Sequence, residues 1–119
     1  MKLFVYGTLM SGMDSHGLMD QAVLISGKCE TADMMSMYMH EGYPFVFNGR
    51  TKYRIQGELY NVSSAHFKRL SAYEGEFYYL TVTDVICDGL VTDAHIFMGR
   101  GHFAGMNEVG GDFRKFCGV

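Results

Sequence analysis

Residues 55–75 read IQGELYNVSSAHFKRLSAYEG, and two hydrophobic periods meet inside them. Ile55, Gly57 and Leu59 alternate with Gln56, Glu58 and Tyr60, the period of two that marks a half-buried strand. This predicts a strand over residues 53–62. Ser63 or Ser64 then offers a hydroxyl that can cap a helix. Phe67, Leu70 and Tyr73 recur at every third position as one apolar stripe, the mark of an amphipathic helix. Gly75 supplies the stop, since glycine readily takes the backbone conformation that ends a helix. A strand that leads straight into a helix, in a chain whose aromatics are all Tyr and Phe, sets the class as α+β.

The flanks add strands. Residues 2–6 are short and apolar and stop at Gly7, as expected of a buried strand that runs into a loop over 7–17. A helical turn is expected at 18–22 and strands at 23–27 and 34–39. HEGYP at 40–44 reads as a turn and holds the only proline, followed by a short strand at 45–47 and an Asn48-Gly49 turn. Strands at 77–86 and 90–98 are joined by Cys87-Asp88-Gly89. Residues 99–111 read as loop, and 113–117 as a short terminal segment. Six or seven strands and one clear helix predict one domain over 1–119, a strongly curved sheet or barrel with flanking helix.

Composition narrows the function classes. Hydrophobic residues make up 48% and charged residues 19% of 119, which excludes intrinsic disorder. Fifteen glycines with one proline and no Gly-X-Y period exclude a collagen-like chain. A net charge of −3 argues against a nucleic-acid partner. Arg50, Lys52 and Arg54 alternate as one solvated strand face rather than a basic patch. No apolar run is long enough to span a membrane as a helix, and residues 3–10 read as a buried strand rather than a targeting segment. Ten methionines, with Met34, Met35, Met37 and Met39 clustered, fit core and pocket filling better than copper binding. Cys29, Cys87 and Cys117 are far apart, odd in number and without CxxC spacing. That pattern predicts neither disulfide framework nor zinc site and fits a reducing cytoplasm.

Two places can carry chemistry. At Tyr6-Gly7-Thr8-Leu9 a strand runs into a glycine turn, so several backbone N–H groups at its end can converge on an anion. Glu74 closes the predicted helix at the negative end of its dipole, beside Tyr73, Phe77 and Tyr79. Both the dipole and burial push a carboxyl pKa up, toward what a general base needs near neutral pH. Glu76 competes for that role. No serine lies in a G-x-S-x-G elbow, and His16, His40, His66, His95 and His102 are scattered without metal spacing. His66 is expected on the exposed helix side and His95 as a structural residue of an apolar strand. The Gly99-Arg100-Gly101 and Gly110-Gly111 runs do not lead from strand to helix, so no phosphate loop is read there.

These signals occur in a familiar order. FVYGTLMSG at the start, HEGYPFVF, IQGELYNVSSAHFKRLSAYEG and the tail GGDFRKF together resemble the γ-glutamylcyclotransferase-like superfamily. Within it the chain is most similar to the γ-glutamylamine cyclotransferase, or avirulence-induced-gene-like, family. The resemblance implies a compact mixed β-barrel with flanking helices. It also implies that Tyr6, Gly7, Thr8 and Leu9 bind the amino-acid end of the substrate, that Glu74 is the catalytic acid/base, and that Tyr79 takes the place of a nearby tyrosine. Ser71 stands where the family commonly has Asp, and Leu80 where it has Arg.

The implied reaction closes a γ-glutamyl amide onto its own α-amino group, giving 5-oxoproline and a free amine. The implied partner is therefore a small γ-glutamyl molecule, with no cofactor, metal, nucleic acid or membrane, on a cytoplasmic monomer or small homo-oligomer. The alternative is a non-catalytic module that keeps the pocket and sequesters a small ligand.

Overall fold

One strand of 18 residues, β2 (Val23–His40), organises the molecule. The computed structural model describes residues 1–48, 52–101 and 103–119. The Asn48-Gly49 turn, Arg50 and His102 thus fall wholly or partly outside the described residues. The sequence reading divides β2 in two, because polar residues such as Lys28 and Glu30 interrupt its apolar pattern. The structure instead bends one strand at register shifts between Leu24 and Ser26, Ser26 and Cys29, and Glu30 and Met34. Each irregularity adds local twist. This lets β2 pair antiparallel with β3 (Tyr43–Phe47), β4 (Tyr53–Asn61), β5 (Tyr78–Cys87) and β7 (Asn107–Val109).

β1 (Lys2–Val5) sits between β4, antiparallel, and β6 (Leu90–Gly99), parallel. β5 and β6 form a hairpin whose turn residues Asp88 and Gly89 both have positive φ. The order β3-β2-β4-β1-β6-β5 is closed by the β2–β5 pairing. The result, among the described residues, is a mixed barrel of seven strands with two helices, α1 (Ser64–Glu74) and α2 (Phe113–Cys117). The α+β barrel expected from the sequence is the fold found. Among the described residues no helix is long and apolar enough to cross a membrane.

The core is filled from β1, β4, β6 and α1: Leu3, Phe4, Ile55, Leu59, Ile96 and Leu70 are essentially inaccessible. Met35 and Met37 are buried among them, in keeping with the core-filling reading. Ser63 caps α1, its hydroxyl accepting from the His66 N–H at 3.1 Å.

Several expectations are corrected. β4 is buried on both faces, not one, because α2 and the loop after β1 cover the side that carries Glu58 and Tyr60. His66 is buried, not exposed. Its Nε2–H donates to the Leu18 carbonyl at 2.6 Å, since the 3-10 turn His16–Met19 folds back over α1. Tyr73, placed on the inward stripe, is 41% exposed.

The cysteine reading is also overturned: Cys29 and Cys87 form a disulfide, with Cα atoms 4.5 Å apart. They face each other in the β2–β5 pairing that closes the barrel. Local spacing carries no trace of that long-range register. The disulfide removes the cysteine argument for a reducing compartment. Cys117 is free and exposed. Of the basic cluster, Lys52 pairs with Glu108 at 3.0 Å and Arg54 donates to the Ala32 carbonyl, so neither belongs to a free basic stripe.

Candidate active site

The loop that leaves β1 is held from three sides. The Tyr6 hydroxyl donates to the Phe97 carbonyl on β6 at 2.5 Å. Gly7 packs directly on Pro44: a Cβ built there would lie 2.5 Å from the proline Cγ. Glycine is thus required by the close approach of the rigid Pro44 ring, not by its φ. Beyond, Glu58 is buried and accepts from the Ser11 N–H at 2.8 Å, the Tyr60 hydroxyl at 2.9 Å and Arg114 at 2.8 Å. Arg114, from α2, also donates to the Ser11 carbonyl at 2.6 Å. Burial alone would raise the Glu58 carboxyl. The hydrogen bonds from Ser11, Arg114 and Tyr60 overcome it and leave the pKa lowered. The family-like tail GGDFRKF therefore clamps the loop, through Arg114.

The bonds that shape the loop use carbonyls: the Met10 N–H donates to Gly7 and the Ser15 N–H to Thr8. No acceptor among the described residues takes the N–H groups of Thr8 and Leu9. Opposite them α1 ends at Glu74. Gly75 follows with φ 71°, and its N–H returns to the Ser71 carbonyl, so the chain leaves the helix at once. The Tyr73 hydroxyl meets the Ser15 hydroxyl at 2.7 Å, tying the helix end to the loop.

Tyr6, Gly7, Thr8, Leu9, Pro44, Glu74, Tyr78 and Phe97 line one tight cleft of about 30 Å³. Glu74 is half-buried there, and burial pushes its carboxyl up to about 7. Burial likewise raises Tyr6, with further contributions from Tyr78 and the Glu74 charge. Tyr78 is raised by burial first and then by Glu74. Its hydroxyl donates to the Pro44 carbonyl at 2.8 Å. Both tyrosines stay protonated near neutral pH, and Glu74 is the one cleft side chain that gains and loses a proton there. Glu74 and Tyr78 also line an adjoining groove of about 280 Å³.

The structure therefore brings Tyr6, Gly7, Thr8, Leu9 and Glu74 together and sets Tyr79 apart. Successive strand residues face opposite sides. Tyr78 points into the cleft, while Tyr79 lines a separate depression with Arg100, whose guanidinium carbon lies 5.8 Å from the ring centroid. Glu76 is exposed in the 3-10 turn after Gly75 and lines neither cleft nor groove. Sequence reasoning missed Tyr78 and Phe97. Alternation along β5 against its partner β6 was the available signal for the first. Among the described residues, no three of His, Cys, Asp and Glu are grouped to hold a metal ion.

The same fold occurs in YkqA from Bacillus subtilis, at 26% identity and TM-score 0.79, over 96% of this chain and 39% of that one. It also occurs in an AIG2-like protein from Mus musculus, at 22% identity and TM-score 0.77, over 85% of this chain and 78% of that one. Among curated proteins, the γ-L-glutamyl-butirosin B γ-glutamyl cyclotransferase of Niallia circulans is 36% identical over 75 residues. That match takes in 63% of this chain and 46% of the relative, so the chain spans less than half the length of the curated relative it matches. The family model described as gamma-glutamyl cyclotransferase, AIG2-like, runs over residues 3–114, from β1 through the barrel to Arg114 at the loop clamp, and the chain belongs to that family.

Proposed function

We propose that the protein cyclises a γ-glutamyl amine to 5-oxoproline and releases the free amine, with Glu74 as the acid/base. The observation that carries this reading is a half-buried carboxyl pushed to about 7, sharing one cleft with two N–H groups that have no acceptor among the described residues.

The reaction is internal to the substrate. The α-amino nitrogen attacks the γ-carbonyl carbon, a C–N bond forms to close a five-membered ring, and the original amide C–N bond breaks. The α-ammonium has a reference pKa of about 8. A carboxylate near 7 accepts one of its protons with little mismatch and passes it to the departing nitrogen; the second proton, shed as the ring closes, follows, so the amine leaves as an ammonium. Atoms balance without water, oxidant or metal. The N–H groups of Thr8 and Leu9 suit the α-carboxylate or the oxyanion on the γ-carbonyl. The tight cleft contributes by holding the chain folded on itself, since well-oriented intramolecular reactions reach effective molarities of about 10⁵ M or more.

The test is to incubate the protein with γ-glutamyl amines in ¹⁸O-water and identify products by mass spectrometry. Unlabelled 5-oxoproline with an equimolar amine is expected. Labelled glutamate would make the enzyme a hydrolase, and recovery of intact ligand would favour a sequestering module.

A further inference from the structure

We propose that the groove beside Glu74 is a leaving-group subsite for an amine with an aromatic body. The proposal rests on the cyclotransferase reading above and deepens it: the preferred substrates are γ-glutamyl arylalkylamines.

The groove shares Glu74 and Tyr78 with the cleft. A nitrogen that takes its proton from Glu74 is therefore released at the groove's inner end. The carbon skeleton of the amine has this space to occupy. Its walls are five aromatic rings: Tyr43, Phe45, Tyr73, Phe77 and Tyr78. Three of them are substantially exposed, Phe77 at 70%, Tyr43 at 49% and Tyr73 at 41%. Single exposed rings are ordinary, but several around one concavity next to a titrating carboxyl mark a binding surface.

Three of the rings, Phe45, Tyr73 and Tyr78, are held in place before any ligand arrives. Phe45 and Tyr78 stack nearly parallel, with centroids 4.6 Å apart. Tyr78 is fixed by its bond to the Pro44 carbonyl and Tyr73 by its contact with Ser15. Tyr43 follows a two-residue turn in which Glu41 and Gly42 both have positive φ, so the hairpin folds back sharply beside α1. A flat apolar ligand meets preset ring faces and edges there, the arrangement that aromatic pairs favour.

The charged rim does not compete with this. His40 and Glu41 lie 3.9 Å apart, and both side chains are at least half exposed. A carboxylate as solvated as that of Glu41 is screened and selects weakly. An amine that carries a carboxylate or several hydroxyls would instead lay polar groups against the negative ring faces and lose water contacts.

The test uses the Glu74→Gln protein, expected to hold ligand while turning it over at least about a hundredfold more slowly, and measures its affinity for γ-glutamyl-benzylamide, γ-glutamyl-methylamide and γ-glutamyl-ε-lysine by calorimetry. The benzylamide is expected to bind at least about tenfold tighter than either of the others. Adding Phe77→Ala, at an exposed position with little bearing on folding, should shrink the benzyl-to-methyl ratio to about threefold or less. Equal affinities, a preference for the lysine derivative, or a ratio unaffected by Phe77→Ala would overturn the subsite. Turnover of the methylamide by the unsubstituted protein reads the parent reaction separately. 5-Oxoproline without benzyl preference refutes the subsite alone, whereas benzyl preference without 5-oxoproline supports the subsite and refutes the reaction. If none of the three ligands binds, both readings fall.

Discussion

Replacing Glu74 by Gln should make the protein more stable at pH 8 while it loses turnover. Burial holds the native carboxyl near 7, against an ordinary value of 4.5 in the unfolded chain. Between those values the native state keeps a proton that the unfolded state has released, so stability falls as pH rises through this window. The contribution of Glu74 is complete below about 4.5 and lost once the pH passes about 7. A span of about 2.5 in pH, at about 1.4 kcal/mol each, sets the cost of the ionised form at about 3 kcal/mol. Gln carries no charge and never incurs that cost. The variant should therefore match the parent at pH 4 and exceed it by about 2–3 kcal/mol at pH 8, a gain of roughly 10 °C in Tm for a domain of this size. Urea unfolding of both proteins at pH 4, 6 and 8 reads the difference directly, and other titrating groups cancel in the comparison. Turnover by the variant should fall by roughly 10²–10⁴-fold, the range for a lost general base. A stability difference that is independent of pH, or that grows toward acid, would refute the assignment of a buried, uncompensated carboxyl at this position.

Glu76→Gln should change 5-oxoproline release by less than about tenfold, since Glu76 lines neither cleft nor groove; loss of activity comparable to Glu74→Gln would move the acid/base two residues along the chain. Arg114→Ala should cost about 1–3 kcal/mol in urea unfolding, because it leaves buried Glu58 and the Ser11 carbonyl short of a donor. It should also raise KM by loosening the loop; an unchanged KM would detach the clamp from the site. Gly7→Val should abolish γ-glutamyl ligand binding, as its side chain meets Pro44 at the cleft wall; a folded variant with normal affinity, read by calorimetry, would remove Gly7 from the site. Thiol titration of the unfolded chain should find one reactive group without reductant and three with it, since Cys29 and Cys87 are paired; three in both cases would exclude the disulfide.

What the sequence revealed depended on the range of the interaction. The strand–helix unit of residues 55–75 was legible because its periods, cap and stop are local, and it delivered Glu74 to a helix end. The turn after Tyr6 was legible for the same reason. Glu58 was misplaced on a solvated face, because alternation tells the two faces of a strand apart but not what covers each. Here the cover comes from α2, far along the chain. His66 and the disulfide were missed likewise: Leu18 and Cys87 are brought opposite them by chain return and barrel closure. The assignment of Tyr79 had a different origin. Either residue of an adjacent pair satisfies a spacing carried over from relatives, and only the strand's facing decides which one meets Glu74.

The continuity of β2 has a kinetic consequence. Four of the other six strands pair with it, and they come from positions spread between residues 43 and 109. The barrel cannot close while β2 waits for a distant partner, and the parallel β1–β6 pairing adds a contact between residues as far apart in the chain as Leu3 and His95. Loop closures of this length must precede the contacts that stabilise them, which slows folding. Once formed, central β2 amides can exchange with solvent only when the whole barrel opens, whereas the Glu41–Gly42 tip, paired on one side alone, can open by itself. The tip that borders the aromatic groove can thus move on its own timescale, while Phe45 and Tyr78 behind it stay fixed.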